Sequence, residues 1–304
     1  MKKKLALFLC LTLVLVGVVG CSASQVSGKI ENKENQETSK NYPERTVAGT
    51  VAVVEMLDLL DVEMVGVPNS RYKLPESCNK AKRIGKPMTP DIEIIKSLNP
   101  DIFVSVSSLQ PRLEKELKDS KIKSLFITNN SYDDMLDSIK ILGDTFGKQK
   151  EAKEFIDEVN FKVEGILKET KDMQKPKVMI LFGTPKSIML ATDKSFVGSL
   201  VNELGGINTT QLMGSFKEAY VPISMENALK TQPDIILRLT HASPEDSKKM
   251  FEKEFSNNPI WMNFKAVKNG NVYDLDNNYF GVSGNIRLVG AIERLGKILY
   301  QLDQ

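Results

Sequence analysis

The chain has 304 residues, 41 Lys and Arg against 39 Asp and Glu, three cysteines and one histidine. A formal charge of +2, with no basic cluster beyond the first residues, argues against a nucleic-acid partner. One imidazole argues against a zinc receptor or zinc hydrolase, which takes two or more imidazoles or thiolates, and no GxSxG, GxGxxG or GxxxxGK[ST] motif asks for an enzyme.

Lys2, Lys3 and Lys4 precede an apolar run over residues 5–20 that ends "VVGC". The run is short for a transmembrane helix, which needs about 20 apolar residues, and it reads as a secretory signal over residues 1–20. Gly20 followed by Cys21 resembles the bacterial lipobox, in which Cys21 takes the lipid (palmitate or a related acyl chain) and becomes the mature N-terminus. An uncleaved anchor helix fits the same run. Residues 21–41 are rich in Ser, Asn, Lys and Glu and cannot bury enough surface to offset chain entropy, so they read as a flexible tether. Cys10 leaves with the signal and Cys21 carries lipid. Cys78 then remains alone, and no intrachain disulfide is available. Losing the three signal lysines takes the formal charge from +2 to −1.

The folded part begins near residue 42. Candidate strands at 45–50, 64–68, 102–106 and 124–127 alternate with helices, as do a second set at 178–184, 188–192, 235–239 and 271–275. Residues 93–111, "EIIKSLNPDIFVSVSSLQP", echo residues 226–244, "ENALKTQPDIILRLTHASP", at a constant offset of 133. Each reads as a short helix, a Pro-Asp turn and an apolar strand of buried parallel type. Between the two sets, residues 147–175 contain no proline before Lys175, and Ala152, Phe155, Ile156, Val159, Val163, Ile166 and Leu167 recur at helical spacing. A single helix over 148–172 would span about 38 Å; two helices broken near Gly165 fit the same pattern. The expected fold is α/β: two Rossmann-like lobes, 42–146 and 176–304, joined by one long helix over 147–175.

His241 aligns with Ser108 in the repeat, just past the carboxyl end of a strand, where open parallel sheets bind ligands. A structural or surface histidine in a loop is equally consistent with the residue alone. Met88 stands in "RIGKPMTPDIEI", between Pro87 and Pro90, which stiffen the loop. Methionines also fill core gaps, and the chain has twelve. A lone imidazole with a thioether is a ligand pair that haem iron accepts.

Those stretches, with "TVA" at 50–52, "LATDKSFVGSLV" at 190–201, "PDIILRLTH" at 233–241, "KKMFEKEF" at 248–255 and "FKAVKNGNVYDL" at 264–275, carry a family resemblance. The chain resembles the haem-receptor lipoproteins of the iron-regulated surface determinant (Isd) system, substrate-binding components of ABC importers with a helical-backbone, periplasmic-binding-protein-like fold. The resemblance implies Met88 and His241 as axial iron ligands from opposite lobes, with haem (iron protoporphyrin IX) as transported ligand rather than substrate of an enzyme. It implies propionate binding at the amides of Val51 and Ala52, with Ser70 and Arg71 nearby. Arg71 departs from the family's usual aromatic, and residues 70–82 and those after Gly281 follow the family loosely. Thr50 capping the helix from Val51 is a physical reason for the "TVA" match, although an ordinary capping turn looks the same in sequence. Glu93 and Glu226, equivalent in the repeat, resemble the glutamates with which importer receptors dock on permease arginines; acidic residues also favour helix N-termini locally. The expected partners are haem, an ABC permease with its ATPase, upstream cell-surface haem-transfer proteins, and the outer face of the cytoplasmic membrane through Cys21, with the receptor a monomer. A siderophore or cobalamin receptor of the same fold, or an electron-transfer haem lipoprotein, is the alternative.

Overall fold

The two echoing segments fold alike, and the rest of the molecule is arranged around them. The structure, a computed structural model, describes residues 41–302 apart from Tyr72, 185–186 and 241–243, with the backbone alone of Asp119 and Pro244. The signal and tether, Cys21 and His241 lie outside the described residues.

In chain order the first lobe is β1 (Thr46–Ala48), α1 (Val51–Leu59), β2 (Met64–Val67), β3 (Lys82–Arg83), a small hairpin of β4 (Gly85–Lys86) and β5 (Thr89–Pro90), α2 (Ile92–Ser97), β6 (Ile102–Val106), α3 (Gln110–Leu117) and β7 (Ser124–Ile127). Its sheet has the order β3-β2-β1-β6-β7, and every neighbouring pair is parallel. Two helices follow, α4 (Tyr132–Phe146) and α5 (Gln149–Glu169). The second lobe is β8 (Lys177–Thr184), β9 (Ser187–Ala191), α6 (Phe196–Glu203), β10 (Ile207–Asn208), β11 (Tyr220–Pro222), α7 (Met225–Thr231), β12 (Ile235–Thr240), α8 (Pro244–Asn257), α9 (Lys265–Lys268), β13 (Val272–Asp274) and α10 (Leu288–Tyr300). Its sheet runs β11-β9-β8-β12-β13, with β10 beside β8. All eight expected strands form: β6 and β7 match their expected bounds, β1, β2 and β13 are shorter, β8 and β12 are a residue longer, and β9 is shifted by one residue. The second sheet differs from a purely parallel one: β9 runs antiparallel to both its neighbours, β8 and β11.

The Pro-Asp turn of each repeat is a staple. Asp101 N donates to Arg45 O at 2.9 Å, and its Oδ2 accepts the amides of Glu44 and Arg45 at 2.9 and 2.8 Å. Asp234 repeats this: its N donates to Lys177 O at 2.8 Å and its Oδ2 accepts Lys177 N at 2.9 Å. The residue two before each aspartate, Asn99 and Gln232, sits at φ 45° to end its helix. A side chain at the start of the neighbouring strand then caps that helix: Arg45, just before β1, donates to Leu98 O and Asn99 O, and Lys177 Nζ, from the first residue of β8, donates to Thr231 O at 2.8 Å.

Helix α5 is unbroken through Gly165 and, at 21 residues, spans about 32 Å. It is shorter than expected because Thr170 closes it, its amide and hydroxyl both donating to Ile166 O. Its apolar face of Ala152, Phe155, Val159, Val163 and Ile166 is buried in a central core shared with one face of each sheet and with α4, α6 and α10. Two smaller cores back the outer faces, around Phe103 in the first lobe and around Trp261 and Phe251 in the second. No helix among the described residues is long and apolar enough to cross a membrane.

Candidate functional site

The carboxyl ends of three adjacent strands, β1, β2 and β3, deliver most of the expected site residues to one edge of the first sheet. From β1 the chain turns through Gly49 into α1. A Cβ at Gly49 would lie 2.7 Å from the Phe103 ring, so only glycine lets this turn sit down on β6. Thr50 takes an extended backbone and its Oγ1 accepts Val53 N at 3.3 Å, which is an N-cap. The amides of Val51 and Ala52 precede any carbonyl of their own helix that could receive them. Both residues are partly exposed. This helix N-terminus therefore presents donors and the positive end of the dipole to the sheet edge, a geometry suited to a carboxylate.

From β2 the chain passes Asn69, whose amide donates to Gly85 O at 2.7 Å. That bond ties the loop carrying Ser70 and exposed Arg71 to the hairpin that follows β3. In the hairpin Lys86 pairs with Thr89, leaving Pro87 and Met88 as the two-residue tip. Gly85 at φ 95° makes the bend into it, and an added Cβ would lie 3.1 Å from Asp91 N and 3.2 Å from Thr89 O. Ile84, fully buried, bonds to Val67 O on one side and to Asp91 N on the other, so the base of the hairpin is fixed. Met88 at its tip is 58% exposed. The gap-filling role open to this methionine in the sequence is thereby ruled out: its thioether is presented to solvent from a stiff support. Beside the capped turn, Val51 and Val106 leave partly covered apolar surface at the margin of the central core.

In the second lobe β12 reaches its carboxyl edge at Thr240, and His241 follows outside the described residues. Thr240 is held by Asn277, its hydroxyl donating to Asn277 Oδ1 at 2.9 Å and its carbonyl accepting Asn277 Nδ2 at 3.3 Å. Sequence reasoning passed over Asn277; its only signal was the turn-forming run "DLDNNY" after a strand.

Glu93 and Glu226 occupy matching places in the first turns of α2 and α7, behind the side-chain caps Asp91 and Ser224. Each is exposed and paired along its own helix, Glu93 with Lys96 at 2.9 Å and Glu226 with Lys230 at 2.7 Å. Because α2 and α7 each run back toward the start of the next strand, their N-termini lie at the carboxyl edge of each sheet. The two glutamates thus mark the same rim, one per lobe.

Over residues 47–279 the chain matches the family described as periplasmic binding protein. It is 39% identical over 294 residues to the high-affinity heme uptake system protein IsdE of Staphylococcus aureus strain Newman, covering 96% of this chain and 97% of that one. Among solved structures, S. aureus IsdE complexed with heme matches with a TM-score of 0.75 at 40% identity, over 84% of this chain and 98% of that one. An ABC transporter substrate-binding protein from Listeria monocytogenes EGD-e matches with a TM-score of 0.77 at 36% identity, over 86% and 100%.

Proposed function

The chain belongs to the periplasmic binding protein family, and from that premise we propose that it is the haem-binding receptor of an ABC importer, taking up haem as its transported ligand for iron acquisition. The single observation that carries the reading at the level of the site is the convergence on one sheet edge of an open helix N-terminus and a stiffly held, exposed methionine. A planar apolar ligand with two carboxylates at one side and a metal at its centre needs both kinds of group. Val51 and Ala52 supply amide donors to the propionates, with Ser70 and Arg71 beside them. Met88 Sδ approaches the iron from the first lobe, and the imidazole of His241, the one histidine of the chain, from the second. With both axial positions filled by protein, the iron has no open position for oxygen, in keeping with carriage rather than catalysis.

The two lobes, 42–146 and 176–304 with residues 147–175 between them, enclose the ligand. Lipid at Cys21 and the tether over 21–41 hold the receptor at the outer face of the cytoplasmic membrane. There Glu93 and Glu226 dock it on the permease, whose ATPase drives import. Haem arrives from cell-surface transfer proteins, and the receptor acts as a monomer.

Haem titrated into residues 42–304 should saturate at one equivalent and give a six-coordinate iron spectrum. A five-coordinate spectrum in both oxidation states would remove the axial pair. Replacing Glu93 and Glu226 together by Ala should leave folding and haem binding intact while abolishing growth on haem as sole iron source; wild-type growth would sink the docking role.

A further inference from the structure

The segment between β13 and α10 touches both halves of the site. Near its start Asn277 brackets Thr240, the last described residue of β12, through both hydroxyl and carbonyl. Further on it reaches the first lobe twice. Gly284 N donates to Asn129 O at 2.7 Å, and Asn129 Nδ2 donates back to Gly284 O at 2.9 Å. Asn129 lies just past the carboxyl end of β7 and is buried. Three residues later, Arg287 Nη2 donates to Glu55 Oε1 at 3.0 Å. Glu55 is one turn into α1, the helix whose first amides face the sheet edge.

The run between these anchors has internal structure of its own. Asn278 N and Phe280 N bond to Asp276 at 2.9 Å each, and Phe280 is buried. Arg287 N bonds to Asn285 Oδ1 at 2.8 Å, and from α10 the Arg294 guanidinium packs on the run, 4.1 Å from the centre of the Tyr279 ring. A connection built this way transmits position: moving Thr240 relative to α1 requires breaking bonds in the strap or at its ends.

We propose that Asn277 and the Glu55–Arg287 pair are positioning residues for haem capture, setting the second lobe's ligand-bearing edge against helix α1. The inference rests on the haem-receptor reading. It ascribes to the ion pair a geometric role, because a pair with an exposed arginine contributes little to stability by itself. Asn277 acts one residue from the proposed ligand, by holding the hydroxyl and carbonyl of Thr240 at the end of β12.

The test uses residues 42–304 loaded with haem, following iron spectrum, haem release to an acceptor and thermal unfolding. Asn277→Ala is expected to release haem about 10-fold faster and to shift its spectrum toward that of His241→Ala. Arg287→Glu sets two carboxylates together and is expected to speed release by about 5-fold at most. Arg287→Glu combined with Glu55→Arg is expected to restore the wild-type rate. Unchanged release and spectra in both single variants would overturn the proposal, as would a loss of thermal stability in Asn277→Ala with no change in spectrum. Failure of the charge exchange to restore release would remove the Glu55–Arg287 pair from it. A His241→Ala protein with the wild-type spectrum would instead overturn the parent reading, so the two failures are distinguishable.

Discussion

In the first lobe the chain leaves β1 through Gly49 and Thr50 and enters α1 at once, with Val51 and Ala52 partly exposed at the sheet edge. In the second lobe β8 turns back as the antiparallel β9, and the next helix, α6, begins only after Thr192 and Ser195. Both helices are capped alike, Thr50 accepting Val53 N and Ser195 accepting Gly198 N. The surroundings differ: Ser195, Phe196 and Val197 are buried, and Thr192 O packs against Gly198. Equal caps therefore give unequal sites. Of these two helices only α1 leaves its first residues partly exposed, which is why the proposed reading takes the carboxylates of the ligand to the first lobe.

The largest expected difference between the lobes is in the iron ligands. His241→Ala removes the only imidazole in the chain. Losing a support behind a ligand costs roughly 10–100-fold in metal affinity, so losing the ligand itself should cost more than about 100-fold in haem affinity. Met88→Ala should bind more weakly than wild type yet more strongly than His241→Ala, with a spectrum distinct from both. Absorption titration of the two variants checks this, and a wild-type spectrum for Met88→Ala removes Met88 from the site.

Gly85→Ala tests the support rather than the ligand. At φ 95° an alanine is strained by about 1–3 kcal/mol, and the tip carrying Met88 should move with it. Urea unfolding should show the stability loss, and the haem spectrum should drift toward that of Met88→Ala. An unaltered midpoint would mean that the hairpin adapts freely.

Thr50→Ala and Ser195→Ala bear directly on the unequal caps. Each should lose about 1 kcal/mol of stability. Only Thr50→Ala should also weaken haem binding, by up to about 5-fold. Equal effects on haem in the two variants would erase the asymmetry.

The smallest effect concerns the paired staples. Two backbone amides, of Arg45 first and then Glu44, hold the Asp101 carboxyl below its ordinary value. For Asp234, burial pushes the carboxyl up, but the Lys265 ammonium at 2.7 Å, the Lys177 amide and both lysine charges outweigh it and leave it lowered. A carboxyl lowered in the folded state stabilises above its ordinary value of 3.8 and loses that contribution as pH falls through the folded value. Asp101→Asn and Asp234→Asn should therefore narrow the stability gap between pH 7 and pH 3 in urea unfolding. A gap as wide as that of wild type in either variant would free that aspartate from the staple.

Much of this was legible in the chain itself. The offset of 133 residues reaches beyond sequence: helix starts, left-handed helix ends at Asn99 and Gln232, and the aspartate staples all obey it. It was legible because the helix caps and left-handed helix ends are set by residue types within the repeat itself, whereas the aspartate staples reach back 56 or 57 residues and took the fold to form. Met88 was ambiguous in sequence because methionine serves cores and ligands equally; its exposure at a hairpin tip depends on Ile84 and Asn69 bonding across to β2 and to the hairpin base.

The sequence by itself determined the alternation of strands and helices, the repeat, the cap before "VA" and the uniqueness of His241, since these depend on residue type and spacing along the chain. Only the tertiary structure decided that β9 runs antiparallel to both its neighbours, that α5 lies in a central core instead of standing free, that Asn277 holds the end of β12, and that Asn129 and Arg287 tie the lobes together. The physical reason is range. A polar side chain in a turn advertises only that it can hydrogen-bond, and its partner, 155 residues away for Asn129 and 232 for Arg287, is chosen by packing that no local pattern records.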